Sequence, residues 1–321
     1  MTSLIEEAAK RLEELRAAGV DTGTVGPQRA GGNAERPTPE AAVVPLDARK
    51  ATHQGASANG ANHAFVQRSS SNDSAGAQRF IEIDFERLRA RGFVTPDAGA
   101  TQIAEEFRVI KRPIIRNAVG KGAAHVKNGN LVMVTSALPS EGKTFTSMNL
   151  ALSIASEVDS TVLLVDGDVA HPSIPEQLGA PHGPGLLDLL TRDDLDFTDA
   201  LVKTNIDKLS VLPAGSRHRR STELLASEQM ASLLREMATR YSDRVIIFDS
   251  PPLLATTEAR VLATNMGQIV MVVAADATTQ HAVNQALSTI ESCEIVMMVL
   301  NKASRTDVGT YYGYYANDAP S

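Results

Sequence analysis

LVMVTSALPSEGKTFTSMNLALSIA, residues 131–155, decides the fold. It opens as a short apolar run rich in β-branched residues and turns through a loop of small residues. It then continues with the apolar spacing of a helix. The same alternation recurs downstream. TVLLVD (161–166), LSVLP (209–213), RVIIFD (244–249), QIVMVVAA (268–275) and EIVMMVLN (294–301) read as strands. Helix-like stretches at 143–157, 221–240 and 279–291 separate most of them. Continuous apolar strands alternating with helices predict an α/β fold, a mostly parallel sheet covered on both faces.

Upstream of this repeat, Thr101 opens a helix carrying Ile103, Phe107, Ile110 and Ile114 on one face. Pro113 is expected to kink or end it, because proline removes a backbone donor and clashes one turn back. Glu105, Arg108, Lys111 and Arg112 occupy the other face, read as solvated. Before it, FIEIDFERLRARGFVTPD (80–97) reads as a short ordered piece closed by a turn at Pro96. Residues 20–78 are rich in Gly, Ala, Ser, Asn and Pro without periodicity, a composition that cannot offset the entropy of ordering. They are expected to form a disordered linker. Residues 1–19 read as an amphipathic helix, with Ser3 and Glu6 at capping-box spacing and Leu4, Ile5, Ala8, Leu12 and Leu15 on one face. That face packs on its own domain or docks on another protein.

Composition narrows the function classes. A formal charge of −7 gives no reason to expect a nucleic-acid partner. The single cysteine, Cys293, excludes an intramolecular disulfide and reads as a small buried residue. No apolar run approaches the ~18 residues of a membrane-spanning helix, and the charged N-terminus lacks the apolar block of a secretory signal. The chain therefore reads as cytoplasmic, reaching any membrane through a partner.

The loop after the first core strand carries the chemistry. Ala137, Leu138, Pro139, Ser140, Glu141, Gly142, Lys143 and Thr144 fit a phosphate-loop pattern, with alanine where the first glycine is usual. Gly142 lets backbone N–H groups approach phosphate, Lys143 reaches the β- and γ-phosphates, and Thr144 offers a hydroxyl to Mg²⁺. The helix beginning there, through Phe145, directs its positive end at the anion. ATP with Mg²⁺ is the expected ligand.

LLVDGDVAHP (163–172) places Asp166 and Asp168 at the carboxyl end of a strand, where ligands bind in open parallel sheets. Alternate strand residues share a face, so both carboxylates reach the phosphates if extended geometry persists. One then holds metal and the other accepts a proton from an attacking hydroxyl. VIIFDSPP (245–252) closes on Asp249 as a further metal anchor. Three carboxylates and a lysine around a triphosphate suit hydrolysis or phosphoryl transfer. The tail, DVGTYYGYYANDAPS (307–321), argues for transfer, since Tyr311, Tyr312, Tyr314 and Tyr315 are four of the five tyrosines in the chain.

Together ALPSEGKT, LLVDGDVAHP, VIIFDSPP and the tyrosine-rich C-terminus resemble the bacterial tyrosine kinases of capsule and exopolysaccharide synthesis. The N-terminal helix, EEFRVIKRPIIRNA (105–118) and PAGSRHRRSTELLAS (213–227) resemble the branch associated with exosortase-linked polysaccharide loci. The resemblance implies a P-loop kinase domain at 131–303, a helical lead-in with an oligomer contact at 79–130, and a phosphoacceptor tail at 304–321. It makes Lys143, Asp166 and Asp168 catalytic, puts metal on Thr144, Asp166 and Asp249, and gives Asn301 an adenine contact. It also implies trans-phosphorylation in a ring-like homo-oligomer and a transmembrane polysaccharide co-polymerase as activator. Glu105, Arg108 and Lys111 resemble the oligomer-contact pattern, with lysine in the last place. Ala170-His171 replaces the usual basic pair.

Two other functions fit parts of the pattern. A MinD- or ParA-like switch ATPase shares the loop, but carries lysine where this chain has Leu138. A pseudokinase scaffold accommodates the departures at 137, 170 and 171. The basic stretch Arg217, His218, Arg219 and Arg220 reads as a solvated loop or as a contact to phosphate or phosphotyrosine.

Overall fold

Every apolar run singled out in the sequence becomes a strand. The computed structural model describes residues 79–304, except 98, 100, 123–125, 181 and 182. The N-terminal helix and linker expected at 1–78, and the tyrosine cluster, lie outside the described residues.

In chain order, β1 (Phe80–Ile81), α1 (Phe85–Ala90) and α2 (Gln102–Ala118) precede β2 (Leu131–Ser136) and α3 (Lys143–Ala155). There follow β3 (Thr161–Asp166), the short α4 (Ile174–Leu178), α5 (Leu186–Leu189) and α6 (Phe197–Ala200), then β4 (Val202–Thr204) and β5 (Leu209–Leu212). The last part holds α7 (Ser221–Leu225), α8 (Glu228–Arg240), β6 (Arg244–Asp249), α9 (Thr257–Ala263), β7 (Gln268–Ala274), α10 (Gln280–Leu287) and β8 (Val296–Asn301).

The strands form one sheet in the order β1-β4-β5-β3-β6-β2-β7-β8. All neighbours are parallel except the β4–β5 pair. Helices cover both faces, so central strands are apolar throughout, and successive residues feed opposite cores. Leu131, Met133, Leu163, Val165, Ile246 and Phe248 enter the core under α8, α9 and α10. Val132, Val134, Val162, Leu164, Val245 and Ile247 enter the core under α2 and α3. Residues 79–130 share this second core, with Ile81, Leu88, Phe107 and Ile114 buried in it.

Local chemistry sets the element ends. Thr101, Ser227, Thr256 and Thr279 each accept a bond from an N–H in the first turn of the helix that follows. The stretch expected as one helix over 221–240 is therefore two. The chain leaves α7 at Leu225, and Ser227 caps a new start by accepting from Met230 N at 3.1 Å.

For α2, the expectation that Pro113 kinks or ends the helix is narrowed, and the expectation that Lys111 is solvated is corrected. Pro113 does not end the helix, which runs on to Ala118. The turn beyond it is anchored by fully buried Ile114 and by Asn117, which donates to Gln268 Oε1 at 2.9 Å. Val109, whose carbonyl loses its donor to the proline, lies exposed. Lys111 is not solvated: it is buried, donates to Ser153 O at 2.6 Å and pairs with Glu157 at 2.7 Å. Of the three positions that resemble an oligomer contact, only Glu105 and Arg108 remain at the surface, paired with each other.

Candidate functional site

Parallel strands deliver their following loops to one edge, and register decides which side chains meet there. Asp166 on β3 stands directly opposite Asp249 on β6, and Val134 on β2 opposite the same Asp249. The phosphate loop leaves β2 beside them. Lys143, Thr144, Asp166, Asp168 and Asp249, scattered in sequence, therefore gather at one end of the sheet.

The loop is shaped by its own backbone and held from behind. Gly142 sits at φ 100° and Ser140 at φ 65°, the left-handed bends that turn the chain around a small concavity. Ala137 is absent from that region, is fully buried, and accepts from Leu254 N at 3.2 Å, so alanine costs nothing at this position. Glu141 faces inward at 2% exposure. Its carboxylate accepts from Leu138 N, from Ala274 N at the end of β7, and from the Thr278 hydroxyl. Asn301 donates to Glu141 O at 2.8 Å and Lys302 Nζ to Ser140 O at 2.6 Å, tying the end of β8 to the loop. The sequence places Glu141 in the phosphate loop, and the structure turns its side chain inward as a brace for that loop.

Gly142 has a second constraint. A Cβ there would lie 2.0 Å from Asn301 Nδ2. Gly142→Ala should therefore weaken ATP binding by at least about tenfold, through both the strained φ and the displaced Asn301. Isothermal titration with ATP checks this, and wild-type affinity would contradict the loop geometry.

The carboxylates are electrostatically distinct. Asp166 is fully buried; its Oδ2 accepts from Ser173 N at 3.0 Å and Ile174 N at 3.1 Å, while Oδ1 has no partner. Burial and the facing Asp249 push its carboxyl up to about 8, against the pull of those two amides. Asp249 rises to about 6, again chiefly through burial. Lys143 and the hydroxyls of Thr144 and Ser147 oppose that rise, though Ser147 Oγ donates to Thr144 O and neither Asp249 oxygen receives a well-formed hydrogen bond. Asp168 lies beyond the end of β3, so the extended geometry expected of it stops at Asp166. Burial raises it, while the His171 N–H bond at 3.1 Å and Lys143 pull it down. At 16% exposure its side chain is the most open of the three. The His171 side chain is 88% exposed, with Nδ1 3.9 Å from Asp168 Oδ1, while its backbone N–H donates to the same oxygen at 3.1 Å.

Unpartnered buried oxygens on Asp166 and Asp249, beside the Thr144 hydroxyl, fit a hydrated divalent cation. No group of three or more His, Cys, Asp or Glu among the described residues forms a ready metal cage. That suits magnesium, which keeps several waters and takes ligands from substrate phosphates. Phe145 packs its ring on Phe93 at 5.1 Å between centroids. Cys293 is partly buried against the core, as its small apolar character suggested.

Comparison with known proteins agrees with this geometry. The model of the AAA domain family matches residues 140–302. CapB of Staphylococcus aureus is 29% identical over 224 residues, 69% of this chain and 94% of its own. Tyrosine-protein kinase YwqD of Bacillus subtilis is 30% identical over 213 residues, 66% of this chain and 86% of its own. Among solved structures, the chimerical protein CapA2B2 superposes with a TM-score of 0.57 at 26% identity, over 70% of this chain and 93% of the other.

Proposed function

Because this chain belongs to the bacterial tyrosine kinase family, we propose that it is an ATP-dependent protein-tyrosine autokinase whose acceptors are Tyr311, Tyr312, Tyr314 and Tyr315. One observation carries this reading. The phosphate loop, three carboxylates and Lys143 converge at one sheet edge, and the root of the tail, Asn301-Lys302, is bonded to that same loop.

The chemistry follows from the residues. Backbone N–H groups of 140–144 and the Lys143 ammonium hold the β- and γ-phosphates of ATP. A tyrosine Oη attacks the γ-phosphorus; the new O–P bond forms as the bond to the β–γ bridging oxygen breaks, and ADP leaves with that electron pair. The phenolic proton passes to Asp168, the most accessible of the three carboxylates. Magnesium, when bound, adds positive charge at the β- and γ-phosphates, and Thr144, Asp166 and Asp249 are the groups that would hold it. We assign the adenine contact to Asn301, which donates to Glu141 O.

From Ser304 to Tyr311 an extended chain spans at most about 25 Å. We assign transfer in trans, within a ring-like homo-oligomer, in service of exopolysaccharide synthesis and within the exosortase-linked branch. No helix among the described residues is long and apolar enough to cross a membrane. We propose a transmembrane co-polymerase as activator and site of recruitment from the cytoplasm, with residues 1–78 as the attachment. Mixing the Lys143→Met full-length chain with an active chain lacking residues 304–321 tests transfer between copies. Phosphotyrosine on the Lys143→Met tail is the expected outcome. A bare tail there, beside modified tails in the intact active chain, means transfer within one copy.

A further inference from the structure

Taking the chain as a tyrosine autokinase, we propose that the basic loop 217–220 is a docking site for phosphotyrosine in the C-terminal tail. A tyrosine already modified is held there while another reaches Asp168. Arg217, His218, Arg219 and Arg220 are all exposed on a chain whose net charge is −7. Among the described residues, no guanidinium of Arg217, Arg219 or Arg220 makes a hydrogen bond or ion pair. Five other exposed arginines, Arg89, Arg108, Arg192, Arg235 and Arg240, each pair with a carboxylate. Three guanidiniums within four residues, none paired with a carboxylate, form a concentrated anion-binding surface.

Both roots of this loop are fixed at the catalytic edge. β5 runs parallel to β3 with Leu212 opposite Val165, so the chain leaves β5 where Asp166 ends β3. On the near side, Gly215 at φ 89° and Ser216 are gripped by buried Asp188, which accepts from Ser216 N at 2.9 Å. On the far side, the Thr222 hydroxyl bonds Glu258 Oε1, and the Glu258 charge is felt at Asp168. The loop is thus anchored one strand away, about 4.8 Å in sheet spacing, from the end of β3.

That placement matches the spacing of the acceptors. In an extended peptide, neighbouring tyrosines at 311, 312, 314 and 315 lie about 3 to 14 Å apart along the chain. In the proposed arrangement, with one tyrosine at Asp168, another lies at the loop. Residues 306–321 contain Asp307 and Asp318 and no lysine or arginine, and each phosphate adds a further charge of about −1.5 to −2. Arginine pairs with phosphate through a planar fork of donors, so affinity for the tail rises as it is modified.

The test uses the full-length Lys143→Met chain and fluorescent peptides of residues 305–321, either unmodified or phosphorylated at Tyr312 and Tyr315. Anisotropy should show the phosphopeptide binding at least about tenfold more tightly, with the preference shrinking as salt rises. Replacing Arg217, Arg219 and Arg220 together by alanine should remove the preference. All three are exposed, so circular dichroism should find the fold intact. Equal binding of both peptides, or a preference that survives the triple substitution, overturns the assignment. So does arginine-dependent sedimentation with phosphatidylglycerol vesicles without any peptide preference, which would make the loop a membrane contact. Binding is read without catalysis, so loss of the autokinase reading alone leaves this measurement intact. In the active chain, the triple variant should lower the ratio of multiply to singly phosphorylated tails.

Discussion

Lys143→Met should lower tyrosine phosphorylation by about 10²–10³-fold, the effect of deleting a charge aimed at a developing anion. The lysine opens α3 behind Gly142, and its ammonium is felt at both Asp168 and Asp249. It makes no hydrogen bond among the described residues, so no structural contact is lost with it. Removing its charge leaves Asp168 and Asp249 easier to protonate, which spares the fold an uncompensated buried anion. Melting temperature should therefore barely change while activity collapses. Radiolabelled ATP turnover alongside thermal denaturation checks both halves. Near-normal phosphorylation would show that the phosphate site lies elsewhere.

Asp166→Asn should abolish phosphorylation while stabilising the nucleotide-free chain, increasingly so as pH rises. Folding raises this carboxyl from about 3.8 to about 8, through burial and the facing Asp249. Its favourable contribution is complete below the unfolded value and is lost as pH climbs through the folded one. The variant lacks this proton equilibrium, and its amide oxygen still accepts from the 173–174 backbone. Variant and wild type should melt together near pH 4 and diverge toward pH 8, with the variant higher. A difference independent of pH would mean that Asp166 is not desolvated as described. The trade of stability for activity is that expected where buried like charges are kept for chemistry.

The two sites of strongest sequence signal were legible for different reasons. Strands buried on both faces need apolar residues at every position, so β2, β3, β6 and β7 announce themselves. The two short strands do not. Phe80–Ile81 and Val202–Thr204 pair with partners more than a hundred residues away or across a hairpin, and so few residues carry no periodicity. The phosphate loop was readable because its chemistry demands Gly142, Lys143 and Thr144 in fixed order. The pairing of Asp166 with Asp249 was not, because register across nonconsecutive strands is a tertiary property.

Polar residues turned inward were the main source of error. Lys111 lies on the charged face of an amphipathic helix, yet its long stem reaches past the helix to Ser153 O and Glu157. Glu141 belongs to the phosphate loop in sequence, but its side chain bonds that loop to β7 from within. In both cases the partner is local to neither the residue nor its element. The basic stretch 217–220 shows the converse. Its charge was evident in sequence, while its place beside the end of β3 came only with the sheet order.

The central claim is that this phosphate loop serves transfer to the chain's own tail. Incubation of the purified full-length protein with Mg-ATP, followed by mass spectrometry of the C-terminal peptide, tests it most directly. A Lys143→Met control and a candidate activator's cytoplasmic segment would be included. Phosphate on one or more of Tyr311, Tyr312, Tyr314 and Tyr315 in the wild type alone is the predicted result. ATP bound in the loop with every tail tyrosine bare, with or without activator, would contradict the account and favour a nucleotide-controlled switch.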